Sequence, residues 1–376
     1  MRTLRTLVLC ATFVTSAAAQ GTLSTQGFGY PAGGLSTHAE ALGGSIGEND
    51  PLSPMNPAAL ATWGRPGFYF QYDPEFRHVQ ANGTSDNTTT ARFPLLAGAL
   101  NVGPRVTIGI SSTTFLDRTW QTSTTAYAHF ATGDSSLYNE SFSTDGAIND
   151  VRLGGSFLLL PSLSIGLAGH VLTGQNRLLI SRTFADTSFA LFTQPSTLSY
   201  TGHSFTAGLN WHPVASLTLG VSGDAGGTLH AYRNDTTLSS ARVPKRLGFG
   251  TVFGGVSGLL LSANAEWHGW SALNGLAESE IKAVDGWDWG VGAEVRAPSL
   301  FGQEFPLRLG YRHRLLPFEV NTVDVHETDY SLGLGIPVSR GRSRVDLSLM
   351  RAIRSANVAD VSEHAWIVSA GFFIRP

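Results

Sequence analysis

Three arginines, Arg308, Arg312 and Arg314, fall within Leu307-Arg308-Leu309-Gly310-Tyr311-Arg312-His313-Arg314. A guanidinium is a planar fork of donors that matches a carboxylate through paired hydrogen bonds, so arginines sharing one face can grip an acidic ligand head. The same groups can instead be consumed by internal ion pairs, because Glu266, Asp288, Glu294 and Asp346 recur in neighbouring segments. A second set is Asn56-Pro57-Ala58. Proline fixes φ and pushes the preceding residue to an extended conformation, while the asparagine amide can satisfy backbone groups of a non-helical turn. That chemistry suits a segment holding one irregular shape, or an ordinary turn entering a strand. The third set is Pro94, flanked by Phe93 and Leu95, with Gly98 and Gly109 nearby. A proline inside a strand removes a ladder donor and marks an edge or bulge, and glycines leave the surrounding wall thin.

Reactive chemistry is missing. Gly133-Asp134-Ser135-Ser136 echoes a hydrolase box, but no helix follows to position a nucleophile. The 11 histidines show no metal-ligand spacing, and there is no phosphate loop. Neither an enzyme nor a cofactor or metal is expected. The net charge of −3 points away from nucleic acid. At the N-terminus, Arg2 and Arg5, the apolar run Leu7–Val14 and the small residues Ala17-Ala18-Ala19 read as a signal peptide over 1–19, cut before Gln20. Such a run is far short of the roughly 20 residues of a membrane helix. The single cysteine, Cys10, lies within it, so the remaining chain has no thiol. A lipoprotein reading of Cys10 is disfavoured by the bulky Leu9 beside it.

The elements carrying these residues are strands. Glycine numbers 43, charged residues make up only 14%, and mean hydropathy is +0.03, yet no long apolar run occurs. Apolar content without long runs must be dispersed by alternation, as in a transmembrane barrel. Tyr330, Leu332, Leu334, Ile336 and Val338 alternate with small or polar residues, and so do Trp287, Trp289, Val291, Ala293 and Val295. Successive strand side chains take opposite faces, giving each piece one greasy and one polar or glycine face. We read strands at 66–80, 91–102, 104–120, 148–160, 162–184, 200–212, 215–232, 245–255, 257–272, 284–298, 304–318, 327–338, 343–355 and 363–375. Connections alternate. Gly103-Pro104, Leu160-Pro161-Ser162, Pro213-Val214, Gly255-Val256-Ser257 and Ser339-Arg340-Gly341 are short, 299–303 is intermediate, and 81–90, 121–147, 185–199, 233–243, 273–283 and 356–362 are long and polar. A secreted β-sandwich has no reason to alternate its loops this way. An outer-membrane barrel does, with tight periplasmic turns and longer outer loops.

The expected fold is therefore all-β: a transmembrane antiparallel β-barrel of about fourteen strands over 63–376, with both termini periplasmic and outer-membrane lipid around it. Trp120, Trp211, Trp267, Trp270, Trp287, Trp289 and Trp366 are placed for interfacial girdles. Arg152, His170, Asp224, His230, Glu266, Asp288, Glu294, Arg296, Arg308, Arg312 and Asp346 belong on the lumen face, since a charge facing lipid at the midplane costs ~2–4 kcal/mol.

Residues 21–62 do not read as a strand pair. Glycine and proline dominate, and His38–Ile46 has room for a helical turn or two. Gly34-Leu35-Ser36, Ala41-Leu42-Gly43-Gly44-Ser45-Ile46, Asp50 and Asn56-Pro57-Ala58-Ala59-Leu60 together resemble the opening of the FadL-type long-chain fatty-acid outer-membrane transporters. Val243–Gly250, Ala265–Ser271 and Pro306–Arg312 with Pro317-Phe318 resemble later parts of the same family. The resemblance implies a small N-terminal hatch over 20–62 inside a fourteen-stranded barrel, with Asn-Pro-Ala as its signature. It also implies passive diffusion of a hydrophobic small molecule, such as a long-chain fatty acid, and a lateral gate at a kinked strand. We place that gate near Pro94, covered from inside by the hatch around Asn56–Ala58. The aromatic end Phe372-Phe373-Ile374 resembles the signal read by the barrel-assembly machinery. PorV-like barrels, which hold a secreted-protein partner, open almost identically and stand as the alternative. The chain is short for the importers, mainly in its outer loops, and no stretch matches their ligand-contacting loops.

With this topology, protease sites inserted at 121–147 and 273–283 should be cut on intact cells. Sites at 213–214 and 339–341 should be protected. The reverse pattern would invert the barrel.

Overall fold

The computed structural model describes residues 28–81, 84–129, 135–186, 188–276, 282–296, 304–320, 323–338, 342–356 and 361–375. The signal peptide over 1–19 and the turns at 299–303 and 339–341 lie outside them. The wall begins with β1 (Gly67–Ala81), β2 (Thr84–Arg92), β3 (Leu95–Asn101), β4 (Val106–Asp117), β5 (Trp120–His129) and β6 (Ser135–Leu160). It continues through β7 (Leu163–Phe184), β8 (Phe192–Val214), β9 (Leu217–Gly226), β10 (Thr228–Arg233), β11 (Thr236–Arg242) and β12 (Arg246–Val256). Then come β13 (Leu259–His268), β14 (Gly286–Arg296), β15 (Pro306–Val320), β16 (Val323–Val338), β17 (Ser343–Ala356) and β18 (Val361–Ile374). Neighbours are antiparallel, and β18 returns to β1 with Phe68 opposite Ile374, which closes the sheet. β2 with β3, β4 with β5, β9 with β10 and β11 with β12 are single barrel strands, each broken once. Counted this way the closed barrel has the expected 14 strands.

Much of the chain expected to form outer loops is paired strand instead. β5 and β6 form a hairpin from Trp120↔Thr144 to His129↔Ser135, and β7 pairs β8 out to Arg182↔Phe192. β2 and β11 occupy most of the expected 81–90 and 233–243 loops. These stretches are rich in Thr and Ser, whose β-branched or small side chains suit a pleated surface, and pairing satisfies their backbone groups. Both faces are polar, so the alternation that signals a membrane strand is absent. Ser135 and Ser136 open β6, whereas Gly133 and Asp134 of the hydrolase-like set lie outside the described residues. The turn expected at 213–214 falls at 215–216, because β8 runs on to Val214.

Across the belt the faces separate cleanly. Leu307 and Leu309 are 47% and 60% exposed, whereas Arg308 between them is 1% exposed. Trp211, Trp287, Trp289 and Trp366 stand outward, but Trp270 is buried in the interior. It belongs to a 3-10 helix, Trp270–Leu276, that folds back over the lumen. His230 also departs from expectation. Gly227 interrupts the strand, and the phase slips by one residue. Leu229 and Ala231 are buried in the interior, and His230 takes the other face beside Tyr232, with ring centroids 6.0 Å apart. Arg296 is exposed at the end of β14, outside the lumen layer.

Residues 28–63 lie inside the ring, largely buried against its inward face. The helix here, α1 (Thr37–Ala41), is capped by Ser36, whose hydroxyl accepts from the Ala39 amide. It has the length of the helical turn or two expected near 38–46, and just beyond it Gly43 and Gly44 adopt φ of +64° and +76°. Those values favour glycine and turn the chain out of the helix. A 3-10 helix, Pro57–Thr62, follows before the chain enters β1. The glycine content now has a cause. A Cβ on Gly166 or Gly208 would collide with residues 56–58, and one on Gly292 would come within 2.6 Å of the Leu42 carbonyl oxygen. Gly290 and Gly310 are closed off in the same way by Gly43, and Gly333 by Ala41. The wall has given up side chains where the inner segment lies against it.

Gly310→Val should therefore expel the inner segment without abolishing closure of the wall. The variant is expected to keep its heat-modifiable migration on gels while protease cleaves near residue 43. Unchanged protease resistance would mean that the segment does not depend on this contact.

Candidate binding lumen

Asn56 caps the 3-10 helix, its Oδ1 accepting from the Ala58 amide at 3.0 Å. Its Nδ2 donates to the carbonyls of Glu48 and Leu209, both at 3.0 Å, which ties the inner segment to β8. Ser164 donates to the Ala58 carbonyl from β7 at 3.0 Å. Glu48 receives both terminal nitrogens of Arg246, at 2.7 and 2.6 Å. Burial pushes the Glu48 carboxyl above its ordinary range, against the opposing pull of Arg246. A carboxylate wholly removed from water stays tolerable only when paired in this way. The Asn-Pro-Ala triplet thus sits on β7 and β8, and the expected position beneath Pro94 is corrected.

What lies behind Pro94 is Gly33. A Cβ there would meet the Pro94 carbonyl oxygen at 3.1 Å and the Thr114 amide at 2.7 Å. Pro94 does break its strand, between β2 and β3, and β4 carries a bulge between Thr114 and Leu116. Below the break β3 and β4 pair from Leu95↔Thr113 to Asn101↔Thr107, with Gly98 opposite Ile110 and Gly109 opposite Ala99. The wall at the two glycines, expected to be thin, is therefore continuous in its strand pairing. Above it, among the described residues, β2 pairs only with β1 and β5 only with β6. The two edges are bridged by an ion pair, Arg92 to Asp117 at 2.5 Å, and by Tyr30, which exchanges backbone hydrogen bonds with Asp117 at 2.8 Å. Gly98 and Gly109 instead line a small cavity of about 30 Å³ with Asn56, Pro57, Leu60 and Trp63.

Tyr30 is also the centre of the largest charge network. Arg314 and Arg354 each lie 4.7 Å from its ring centroid and Arg92 lies 5.1 Å away. Its hydroxyl donates to Glu327 at 3.1 Å. Burial drives the hydroxyl pKa above the ordinary tyrosine value. Arg354 is fully buried and bonds Glu75 at 2.7 Å, together with Glu327 and Glu363. Nothing in the local sequence of Tyr30 announces this. The carboxylates that meet the arginines come from four other parts of the chain.

The three arginines singled out from the sequence separate in role. Arg308 is consumed by Glu294 at 2.7 Å and Asp346 at 2.6 Å. Arg314 is consumed by Glu327 and by the Pro31 carbonyl at 3.1 Å. Only Arg312 keeps a spare donor, since it reaches Asp288 at 3.4 Å and its buried Nε has no hydrogen-bond partner. It lines the main cavity of about 130 Å³, which lies between the inner segment and the wall. Beside this cavity the interior carries an apolar cluster of Phe28, Leu116, Ile148, Leu172, Tyr200 and Leu229, joined by Trp270 and Leu273. The cluster runs from the inturned 3-10 helix to the bulged end of β4. Sequence reading missed it because these positions alternate with polar ones as lipid-facing residues do. Among the described residues no group of metal-binding side chains occurs.

A closed barrel with an apolar outer belt and an internally packed N-terminal segment defines a plugged barrel of outer-membrane type. No family model matches the chain, and no curated protein does. Solved structures do. A Pseudomonas aeruginosa FadL homologue superposes with a TM-score of 0.63 at 14% identity, over 93% of this chain and 99% of its own. The Ralstonia pickettii toluene transporter TbuX gives 0.60 at 14% identity, over 92% and 99%. The Pseudomonas putida toluene transporter TodX gives 0.59 at 13% identity, over 91% and 98%. The chain has the FadL-type outer-membrane transporter fold.

Replacing Arg354 with Met should leave Glu327 and Glu75 each short of a partner in a dry interior, a loss of ~3–5 kcal/mol. Arg312→Met should cost well under half as much. Urea unfolding in detergent or lipid checks the order, and equal losses would remove the Tyr30 network as the brace.

Proposed function

We propose that this barrel is an outer-membrane channel for small hydrophobic molecules, with residues 28–62 as its hatch and diffusion as its only driving force. The observation carrying this reading is the apolar cluster inside the lumen. Outer-membrane barrels normally keep polar interiors. A greasy layer from the outer mouth to the interrupted wall at Pro94 suits a solute that gains nothing by crossing a wet periplasm. The named relatives with this fold, a FadL homologue and two toluene transporters, support the same class of cargo. A side exit needs a break in strand pairing, because a closed barrel has no edge. The unpaired edges of β2 and β5 supply one, with the Arg92–Asp117 pair and Tyr30 as its bolt. Asn56, Pro57 and Ala58 anchor the hatch on β7 and β8. The termini face the periplasm in this reading, and Phe372–Ile374 of β18 is the mark for the assembly machinery. A long-chain fatty acid remains within the cargo class, with Arg312 among the guanidiniums that keep a spare donor.

Arg92→Cys with Asp117→Cys, joined by a short bifunctional thiol reagent, should slow uptake of labelled toluene or oleate severalfold in cells expressing the barrel. The absence of cysteine after Cys10 makes the cross-link specific. The uncross-linked double variant should transport at least as fast as wild type. Uptake unaffected by the cross-link would place the exit elsewhere. No uptake above vector-only cells with wild-type barrel would end the channel reading.

A further inference from the structure

The outward face of one flank, from β14 through β18 and β1 to β2, changes character row by row. Leu309, Leu332, Leu349 and Val368 stand side by side across β15 to β18, all exposed, within the apolar belt. The next outward row is Tyr311, Tyr330, Arg351, Trp366 and, on β1, Phe76. Tyr311 lies between Trp289 and Tyr330, with ring centroids 5.2 and 5.4 Å away, and Arg351 covers the Trp366 ring at 5.1 Å. Rings at this level make an interfacial girdle. The row beyond it is His313, Thr328, Ile353, His364, His78 and, on β2, Asn87. His326 stands one row further on and stacks on His313, with centroids 5.2 Å and planes 16° apart.

Arg351 and these histidines thus gather on the lipid side of the wall, where headgroups begin. Arg351 meets a ring and, among the described residues, no carboxylate. His326 and His364 each keep a buried Nδ1 without a hydrogen-bond partner. His78 uses its Nδ1 on Asn87 at 2.8 Å and His313 its own on Thr328 at 3.1 Å, which leaves each ring its Nε2. The acids behind them on the lumen side, Asp288 and Glu363, are paired with Arg312 and Arg354. Glu319 and Asp324 oppose each other one row beyond His326. Cations crowded on one face resist charging together, and an anion arriving among them removes that resistance.

The cations form two groups. Arg351, His364 and His78 occupy β17, β18 and β1, while His313 and His326 occupy β15 and β16. At about 4.8 Å per strand the groups lie roughly 10–14 Å apart. We propose that this strip docks an outer-leaflet lipid whose disaccharide headgroup carries two phosphates, one at each group, with its acyl chains on the leucine row beneath. Guanidinium and imidazolium donors suit phosphate oxygens, and continuity with the apolar belt selects a lipid over a free anion. The proposal rests on the orientation given above, with the chain ends periplasmic, which puts this level in the outer leaflet.

Native mass spectrometry of the purified barrel in a neutral detergent tests this. The probes are diphosphoryl lipid A, the same lipid stripped of both phosphates, and phosphatidylglycerol. The diphosphorylated lipid should bind at least about tenfold more tightly than either of the others, the scale of one charge-assisted hydrogen bond. Its binding should tighten severalfold from about pH 8 to about pH 6.5, since imidazoles gain charge in that direction while phosphates stay anionic. Arg351→Gln with His364→Gln should remove most of the preference, and so should His313→Gln with His326→Gln. Both pairs stand outside the lumen, so toluene uptake should not change, and heat-modifiable migration checks assembly. Either pair provides the readout should the other misassemble. Equal binding of the stripped lipid or of phosphatidylglycerol, or an undiminished preference in the assembled double variants, overturns the docking strip and leaves the channel reading intact. Protease cleavage on intact cells decides the leaflet separately: cutting at 213–214 and not at 121–147 would overturn an outer-leaflet site.

Discussion

A ring of fourteen strands is too wide for its own side chains to fill, so something else must occupy the space. Here the occupant is the chain's own N-terminal segment, and the wall is shaped around it. At several of the closest approaches of the segment to a strand the inward residue is glycine, as at 166, 208, 290, 310 and 333. The outward neighbours of those glycines remain apolar. One sequence pattern therefore meets two demands, lipid outside and a close backbone inside.

Close approach alone does not hold a polar segment in place. The interior is braced by ion pairs buried on both sides, with Glu48 against Arg246 and Arg354 among Glu75, Glu327 and Glu363. Such pairs contribute little net stability compared with apolar packing, but they penalise any arrangement that leaves one member alone. That penalty makes them suited to fixing the path of an irregular segment. Tyr30 is fixed in this way, with cations around its ring and a carboxylate at its hydroxyl.

The barrel was legible because a period of two survives wherever one face meets lipid. Leu307-Arg308-Leu309 shows it, and the exposures follow the letters. It failed where both faces are polar, as in β2 and β5, and where the phase slips, as at Gly227 before His230. The inner segment was legible through Asn56-Pro57-Ala58, yet its resting place on β7 and β8 was not. That depends on glycines more than a hundred residues away. Arg308, Arg312 and Arg314 were correctly turned inward, but their division into two engaged arginines and one with a spare donor depends on acids from other strands. Tyr30 carries no local mark at all.

The last strand has a further role. Ser369 of β18 shares a hydrogen bond with Thr37 at 2.7 Å, and Arg375, just beyond it, donates to the Trp63 carbonyl at 3.0 Å. Both contacts join the end of β18 to the inner segment, across the same seam where β18 meets β1. The seam that seals the cylinder thus also holds part of its contents, and neither contact can form before β18 has been delivered. A fault within the inner segment can accordingly leave the cylinder shut, whereas a fault at the seam loosens wall and contents together.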